Sequence, residues 1–162
     1  MDAHTDERRD VVITHPHRHE AVVRSTRAVV VLLLVVSALL MLIITVGGWS
    51  QLEGMIPVDV AMILIYAALA YYALRWNRGV LPVASTLAVF VLIFSAAAAP
   101  SWFTHSDAGY AQPAVNSNML GILSLILVPL QLALIVFAMR GFKQGWNVEV
   151  EMSSAGAQPQ GA

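Results

Sequence analysis

Residues 28–46 read AVVVLLLVVSALLMLIITV, nineteen residues without a charge, a proline or a glycine. At about 1.5 Å of rise per residue, a helix of this length spans roughly 28 Å, which matches the hydrocarbon core of a bilayer. Three further stretches of similar character follow along the chain. The sequence therefore predicts an all-α integral membrane protein, with four transmembrane helices at about 28–46, 58–75, 80–99 and 118–139.

The overall composition supports this fold class and bounds the rest of the chain. Of the 162 residues, 58% are hydrophobic and only 12% are charged, about half the charged share of a soluble domain. The absence of cysteine excludes disulfides, thiol catalysis, thiolate metal sites and palmitoylation. The length leaves room for one bundle and two tails. We expect a flexible N-terminal tail over 1–27, the bundle over 28–139 and a largely disordered C-terminal tail over 140–162.

Helix-breaking residues mark the predicted ends of the helices. Gly47 follows the first apolar stretch, and Pro57 begins the second, since proline is tolerated in the first turn of a helix. Pro100 follows the third stretch and predicts its end there. Asn116 or Ser117 is suited to cap the fourth helix.

The distribution of basic residues predicts the orientation of the bundle. All nine arginines and lysines precede the first helix, separate the second from the third, or follow the fourth. The segments 49–56 and 100–117 contain none. Because positively charged loops stay in the cytoplasm, we expect both termini to be cytoplasmic, in a multi-pass protein of the plasma (inner) membrane. Arginine outnumbers lysine eight to one, which is typical of a GC-rich, bacterial genome.

Polar residues recur on one face of the fourth helix. Ser117, Gly121, Ser124 and Gln131 are spaced by four, three and seven residues. Pro129 lies beside them and cannot donate a backbone hydrogen bond. Ser124, Pro129 and Gln131 form either a hydrogen-bonded contact between helices or a site for a cation, water or small polar ligand. We favour the structural interpretation, because buried polar groups in lipid need partners.

Small residues lie on the other three helices at helical spacing. They let helix backbones approach closely. They serve either contacts within the bundle or contacts with partner subunits, and the pattern fits both. The sets are Ser37 and Thr45; Ala67, Ala70 and Ala73; and Ala84, Ala88, Ser95 and Ala99.

The segment before the first helix offers two weaker candidate sites. Histidines at alternate positions can bind a transition metal, although an exposed, partly basic tail is the interpretation that we favour. Arginines near the membrane can hold anionic lipid headgroups or simply set the topology. The histidines are His15, His17 and His19, and the arginines are Arg18, Arg24 and Arg27.

The predicted outer loop between the third and fourth helices is the last candidate. Trp102, His105 and Asp107 lie within six consecutive positions of this loop. A histidine and a carboxylate two residues apart can bind a proton or an ion, and the aromatic residues suit a protein contact. A solvated loop without function is the plainer interpretation.

These features favour a non-enzymatic function without a cofactor. No charged residue lies deep in a span, which argues against ion-driven transport. We expect a small accessory or assembly subunit of a larger membrane complex, in contact with lipid and with protein partners or further copies, and not with nucleic acid. A small oligomeric channel or carrier using the fourth helix is the alternative. Metal or lipid sensing by the N-terminal tail is a further one.

Overall fold

The computed structural model describes residues 12–14, 21–52, 54–77, 79–104, 113–144 and 150–152. Within them the chain forms a bundle of four long helices. Each helix is long and apolar enough to cross a membrane, which confirms the predicted all-α architecture. The helices are α1 (Ala21–Gly47), α2 (Ile56–Leu74), α3 (Val80–Thr104) and α4 (Ser117–Lys143).

Two three-residue strands flank the bundle. β1 (Val12–Thr14) precedes α1, and β2 (Val150–Met152) follows α4. They pair antiparallel, with Ile13 opposite Glu151. The pairing brings together one segment from each predicted tail, a contact that the prediction of flexible tails did not include. The remainder of both tails lies outside the described residues.

α1 and α4 extend further than hydropathy predicted, and so does the C-terminal end of α3. α1 begins at Ala21 instead of residue 28, and α4 continues to Lys143 instead of ending at 139. Hydropathy marks only the part of a helix that suits lipid, whereas backbone hydrogen bonding continues into polar turns. In the first turns of α1, the hydroxyls of Ser25 and Thr26 donate to the Val22 carbonyl at 2.8 and 2.9 Å, so these polar side chains are satisfied locally.

The prediction that Pro100 ends the third helix is wrong. α3 continues through Pro100 and ends at Thr104. A proline removes only its own N–H from the helix, and membrane helices tolerate it where nearby hydroxyls supply other hydrogen bonds. Here the Ser101 hydroxyl donates to the Ala98 carbonyl at 2.7 Å. The Thr104 hydroxyl donates to the Ser101 carbonyl at 3.2 Å.

The helices pack in the order α2, α1, α4, α3. α4 packs extensively on α3 and also on α1, α1 packs on α2, and α2 touches α3 only slightly. The buried positions of α4 alternate at intervals of four and three, the spacing of a coiled-coil seam. They are Leu120, Ser124, Leu127, Gln131, Leu134, Ala138 and Gly141, with Gly121 buried beside Leu120.

The small residues of α3 are used inside the bundle. All four of the predicted set are buried: Ala84, Ala88, Ser95 and Ala99. Since α3 packs mainly on α4, these residues allow the close approach of those two helices. The sequence alone did not decide whether this face of α3 packs within the bundle or binds a partner. In the structure, it packs within the bundle.

The two ends of the bundle differ in charge. Arginines and a lysine lie where α1 begins, α2 ends and α4 ends, and we call this the basic end. The opposite end holds the one acidic side chain of the four helices, Asp59, in the first turn of α2. We call it the Asp59 end.

Candidate functional site

A layer of polar side chains crosses the middle of the bundle. The Tyr66 hydroxyl of α2 donates to Oε1 of Gln131 on α4 at 2.9 Å. Nε2 of Gln131 donates to the Ser37 hydroxyl oxygen of α1 at 3.0 Å. All three side chains have 0% exposure. We call this set the polar layer, and it ties three helices together through one amide.

The polar layer satisfies the groups that would otherwise be costly in a bilayer. A buried amide or hydroxyl without a partner loses its hydrogen bonds to water and gains nothing in return. Gln131 uses its oxygen as acceptor and its nitrogen as donor, so both ends of the amide are occupied. The geometry is therefore that of a structural contact between helices.

The other residues of the predicted polar face lie in different places. Ser124 is buried, and its hydroxyl donates to the Leu120 carbonyl of its own helix at 2.9 Å. Pro129 lies on the exposed side of α4. The structure thus separates Ser124, Pro129 and Gln131 instead of combining them in one site.

Between the polar layer and the basic end, the bundle is closed by an apolar core. Large aliphatic side chains from three helices fill it, namely Leu34, Leu81 and Leu134, each with no exposed surface. Ala84 and Ala138 complete the contact between α3 and α4 at this depth. The buried Ser85 hydroxyl at this depth donates to the Leu81 carbonyl of its own helix, so among the described residues no hydrogen-bonded side chain links the polar layer to the basic end.

The Asp59 end contains a cavity of about 210 Å³. Residues of all four helices and of the segment between α1 and α2 line it. Most of the lining is apolar and includes three methionines, Met41, Met55 and Met62. The polar side chains in the lining are Thr45, Asp59, Ser95 and Ser124.

Two of these hydroxyls already donate their protons to the protein. Ser124 donates to Leu120, as above, and the Thr45 hydroxyl donates to the Met41 carbonyl at 2.8 Å. Thr45 is also within hydrogen-bonding reach of the Asp59 carboxyl. Since a hydroxyl has one proton, Thr45 serves one of these acceptors at a time. In either case its oxygen lone pairs are what it presents to the cavity.

Trp102 lies in the wall of this cavity and not in a loop. It belongs to α3 and is only 6% exposed, so its predicted place in the outer loop is wrong. Its ring packs against Gly48, where an added Cβ would lie 2.6 Å from the Cη2 atom. The next residue, Phe103, packs in the same way against Gly121 of α4. His105 and Asp107 lie outside the described residues.

At the basic end, Arg27 connects α1 to the end of α2. Its Nη1 donates to the Leu74 carbonyl at 3.0 Å, and its guanidinium lies 4.0 Å from the centre of the Trp76 ring. Arg24 is exposed on the same helix. The binding of lipid headgroups by these arginines stays a prediction. His15, His17, Arg18 and His19 lie outside the described residues.

Within the part of the chain that the structure describes, no three histidine, cysteine or acidic side chains come together as metal ligands. Comparison of the chain with known protein families, with curated proteins and with solved structures finds no match. The candidate site therefore has to be interpreted from its own geometry.

Sequence reasoning identified Gln131 but missed its partner Tyr66. A signal was present, because Tyr66 lies in the middle of an apolar span, whereas Tyr71 and Tyr72 lie near its end. A tyrosine hydroxyl at that depth requires a hydrogen-bond partner. The sequence places Asp59 at the start of an apolar span, but nothing in it places the carboxyl group in a cavity wall.

Proposed function

We propose that this chain is a non-enzymatic accessory or assembly subunit of a larger complex in a bacterial plasma membrane, with both termini in the cytoplasm. The observation that carries the proposal is an outward face of α2 that the bundle leaves uncovered. Ala61, Leu64, Ala68 and Tyr71 follow one another at intervals of three and four residues, and all are exposed. We call this face the α2 seam.

The α2 seam has the composition of a contact between membrane helices. Ala61 and Ala68 are seven residues apart, so a small side chain returns after two turns on the same face. Such spacing lets a second backbone approach closely, which is how helices associate in lipid. Ala70 and Ala73 are buried within the bundle. α2 therefore carries small residues on two faces, and one of them is available.

Aromatic side chains lie at the basic end of the seam. The rings of Tyr71 and Tyr72 are 5.6 Å apart and meet edge to face. The guanidinium of Arg75 lies 5.5 Å from the centre of the Tyr71 ring. Tyrosine and arginine are enriched at the centres of protein interfaces. This arrangement supports a protein partner for the seam in addition to lipid.

The alternative of a channel or carrier along α4 receives less support. The amide of Gln131 is occupied on both sides, and Pro129 faces away from it. The apolar core beyond the polar layer interrupts any polar path through the described residues. Metal or lipid sensing by the N-terminal segment stays a prediction, since His15, His17 and His19 lie outside the described residues.

Site-specific photo-crosslinking in native membranes tests the proposal. A photoreactive residue at Leu64 lies on the α2 seam, whereas one at Leu32 lies on an equally exposed face of α1. We expect position 64 to give a discrete protein adduct that position 32 does not give. Its mass distinguishes a different subunit from a second copy of this chain.

A pair of matched substitutions sharpens this test. Ala68→Leu fills the seam, whereas Ala97→Leu enlarges an exposed alanine on α3. The adduct at position 64 should disappear with Ala68→Leu and persist with Ala97→Leu. Lipid adducts alone at position 64, or an adduct that is insensitive to Ala68→Leu, would overturn the proposal.

A further inference from the structure

The cavity at the Asp59 end combines one carboxylate with apolar and aromatic walls. We infer that it is a binding site for a small organic cation, an ammonium group carried on an apolar body. The site lies on a different face of α2 from the α2 seam, since Asp59 and Met62 line the cavity while Ala61 and Leu64 face outward. The inference is therefore independent of the proposed subunit role.

The charge of Asp59 calls for a positive ligand. Among the described residues, no lysine or arginine lines the cavity. The segments 49–56 and 100–117, which connect the helices at this end, contain neither residue type. Asp59 lies in the first turn of α2, where the positive end of the helix dipole faces its carboxyl group. An anionic group at the edge of an apolar cavity attracts a cation.

Three of the four polar side chains in the lining present acceptors to the cavity, and the fourth, Ser95, has a hydroxyl that can donate or accept. The hydroxyl protons of Thr45 and Ser124 are directed to acceptors within the protein, so these oxygens offer lone pairs to a ligand. A carboxylate also only accepts. A ligand that carries N–H donors or a positive charge fits such a set better than an anion does.

The apolar lining fits the body of such a ligand. Trp102 and Phe94 supply aromatic rings, which attract ammonium groups by cation–π interaction. The flexible and polarisable side chains of Met41 and Met62 adapt to the shape of an apolar group. The volume of about 210 Å³ is below the range of roughly 300–1,000 Å³ that is common for drug-sized ligands. We therefore expect a small ligand.

The cavity is accessible from outside the bundle. Three of its lining residues, Met55, Val58 and Phe94, are themselves exposed. They lie where α2 and α3 touch only slightly. A ligand can therefore enter between these helices without disrupting the polar layer. Both a free organic cation and the ammonium headgroup of a membrane lipid have the required chemistry.

Binding of benzyltrimethylammonium to the full-length protein in maltoside micelles tests the inference, measured by calorimetry. We expect Asp59→Asn to weaken this binding by about tenfold or more, because the substitution removes the charge and keeps the shape. The uncharged analogue neopentylbenzene should bind both proteins within about twofold of each other. Asp10→Asn, which removes a carboxylate before the first helix, should leave both affinities unchanged.

Two neighbouring alanines test the location. Ala98 lines the cavity, whereas Ala97 is exposed on the other side of α3. Ala98→Leu should lower the affinity for both ligands by about fivefold or more, and Ala97→Leu should lower neither affinity. Circular dichroism confirms that each variant keeps its helix content. Equal affinity of the wild type and Asp59→Asn for the cation would contradict the inference. Equal affinities of Ala98→Leu and Ala97→Leu for the two ligands would contradict the proposed location.

The source of the natural ligand is resolved in nanodiscs. Discs with phosphatidylethanolamine are compared with discs that contain only phosphatidylglycerol. If the lipid ammonium is the ligand, phosphatidylethanolamine competes with benzyltrimethylammonium and is retained less by Asp59→Asn in native mass spectrometry. If a free cation is the ligand, its affinity is the same in both discs and still depends on Asp59. Binding without dependence on Asp59 in either disc contradicts the inference.

Discussion

At the scale of single residues, the polar layer depends on one side chain that both donates and accepts. Gln131 is the only member of the layer that bonds to both others, accepting from Tyr66 and donating to Ser37. A serine or threonine at this position has no reach across two helices, and a leucine has no polar atoms. Position 131 therefore requires a side chain that both donates and accepts, whereas the surrounding aliphatic positions mainly require a side chain of suitable volume.

Gln131→Leu should destabilise the fold without a large change in packing volume. Interhelical hydrogen bonds in membranes contribute about 0.6 kcal/mol on average and seldom more than 2 kcal/mol. Loss of two bonds, with the Tyr66 and Ser37 hydroxyls left in an apolar interior, should lower the free energy of unfolding by about 1–2 kcal/mol. The measurement is unfolding in mixed micelles, followed by circular dichroism.

Ser124→Ala is the matched control for this prediction. The Ser124 hydroxyl is buried on the same face of α4, but it bonds only to a carbonyl of its own helix. We expect a change in unfolding free energy below about 0.5 kcal/mol, because no contact between helices is lost. Equal effects of Gln131→Leu and Ser124→Ala would show that the polar layer does not stabilise the bundle.

Glycine and tryptophan act together at the other end of the bundle. A tryptophan near the end of an apolar stretch predicts an interfacial position. Trp102 is instead buried, because Gly48 leaves space for its ring where any larger side chain would collide. The sequence shows each residue but not the contact, since the two are far apart along the chain and meet only where the turn after α1 approaches the end of α3.

At the scale of elements, the way in which α2 ends shows how a helix terminus is held. Trp76 has a φ of 62°, in the left-handed region that bulky residues seldom adopt. Its ring lies under the Arg27 guanidinium, and the same guanidinium donates a hydrogen bond to the carbonyl of Leu74, one of the last carbonyls of α2. Cation–π stacking and a capped carbonyl thus stabilise a strained turn.

Arg27→Lys should weaken this end of α2 although the charge is kept. A lysine ammonium is a compact point charge. Unlike a guanidinium, it cannot lie flat on an aromatic ring and at the same time donate a hydrogen bond from its edge. We expect a loss of about 0.5–1 kcal/mol in unfolding free energy. In a Trp76→Leu background the same substitution should cost clearly less. Equal costs in both backgrounds would rule out the stacking as the cause.

The elements themselves could largely be predicted from sequence. Four long apolar stretches determine four helices, because a spanning helix needs uninterrupted hydrophobic residues. The ends were less predictable, as Pro100 shows, since a proline removes one backbone hydrogen bond without necessarily ending the helix. The pairing of Tyr66 with Gln131, and the cavity beside Asp59, depend on which helices are neighbours. Hydropathy does not contain that information.

At the scale of the whole molecule, the bundle is electrically asymmetric. The described basic residues of the four helices lie at one end, and the single acidic residue of the helices lies at the other. Basic segments resist translocation, so this asymmetry predicts which end stays in the cytoplasm. Because β1 pairs with β2, the segments that precede α1 and follow α4 also contact each other. The basic end is therefore also the end at which β1 and β2 pair.

Impermeant labelling of single cysteines tests the predicted orientation. The natural chain has no cysteine, so it serves as its own unlabelled background. Ala114 lies exposed between α3 and α4 at the Asp59 end, and Asn77 lies exposed between α2 and α3 at the basic end. In right-side-out spheroplasts, a membrane-impermeant maleimide should label Ala114→Cys directly. It should label Asn77→Cys only after the membrane is permeabilised, because the positively charged end is retained in the cytoplasm. The reverse pattern would invert the topology, and it would move the cation site of Asp59 to the cytoplasmic side. Labelling of both positions in intact spheroplasts would contradict a single orientation of the bundle.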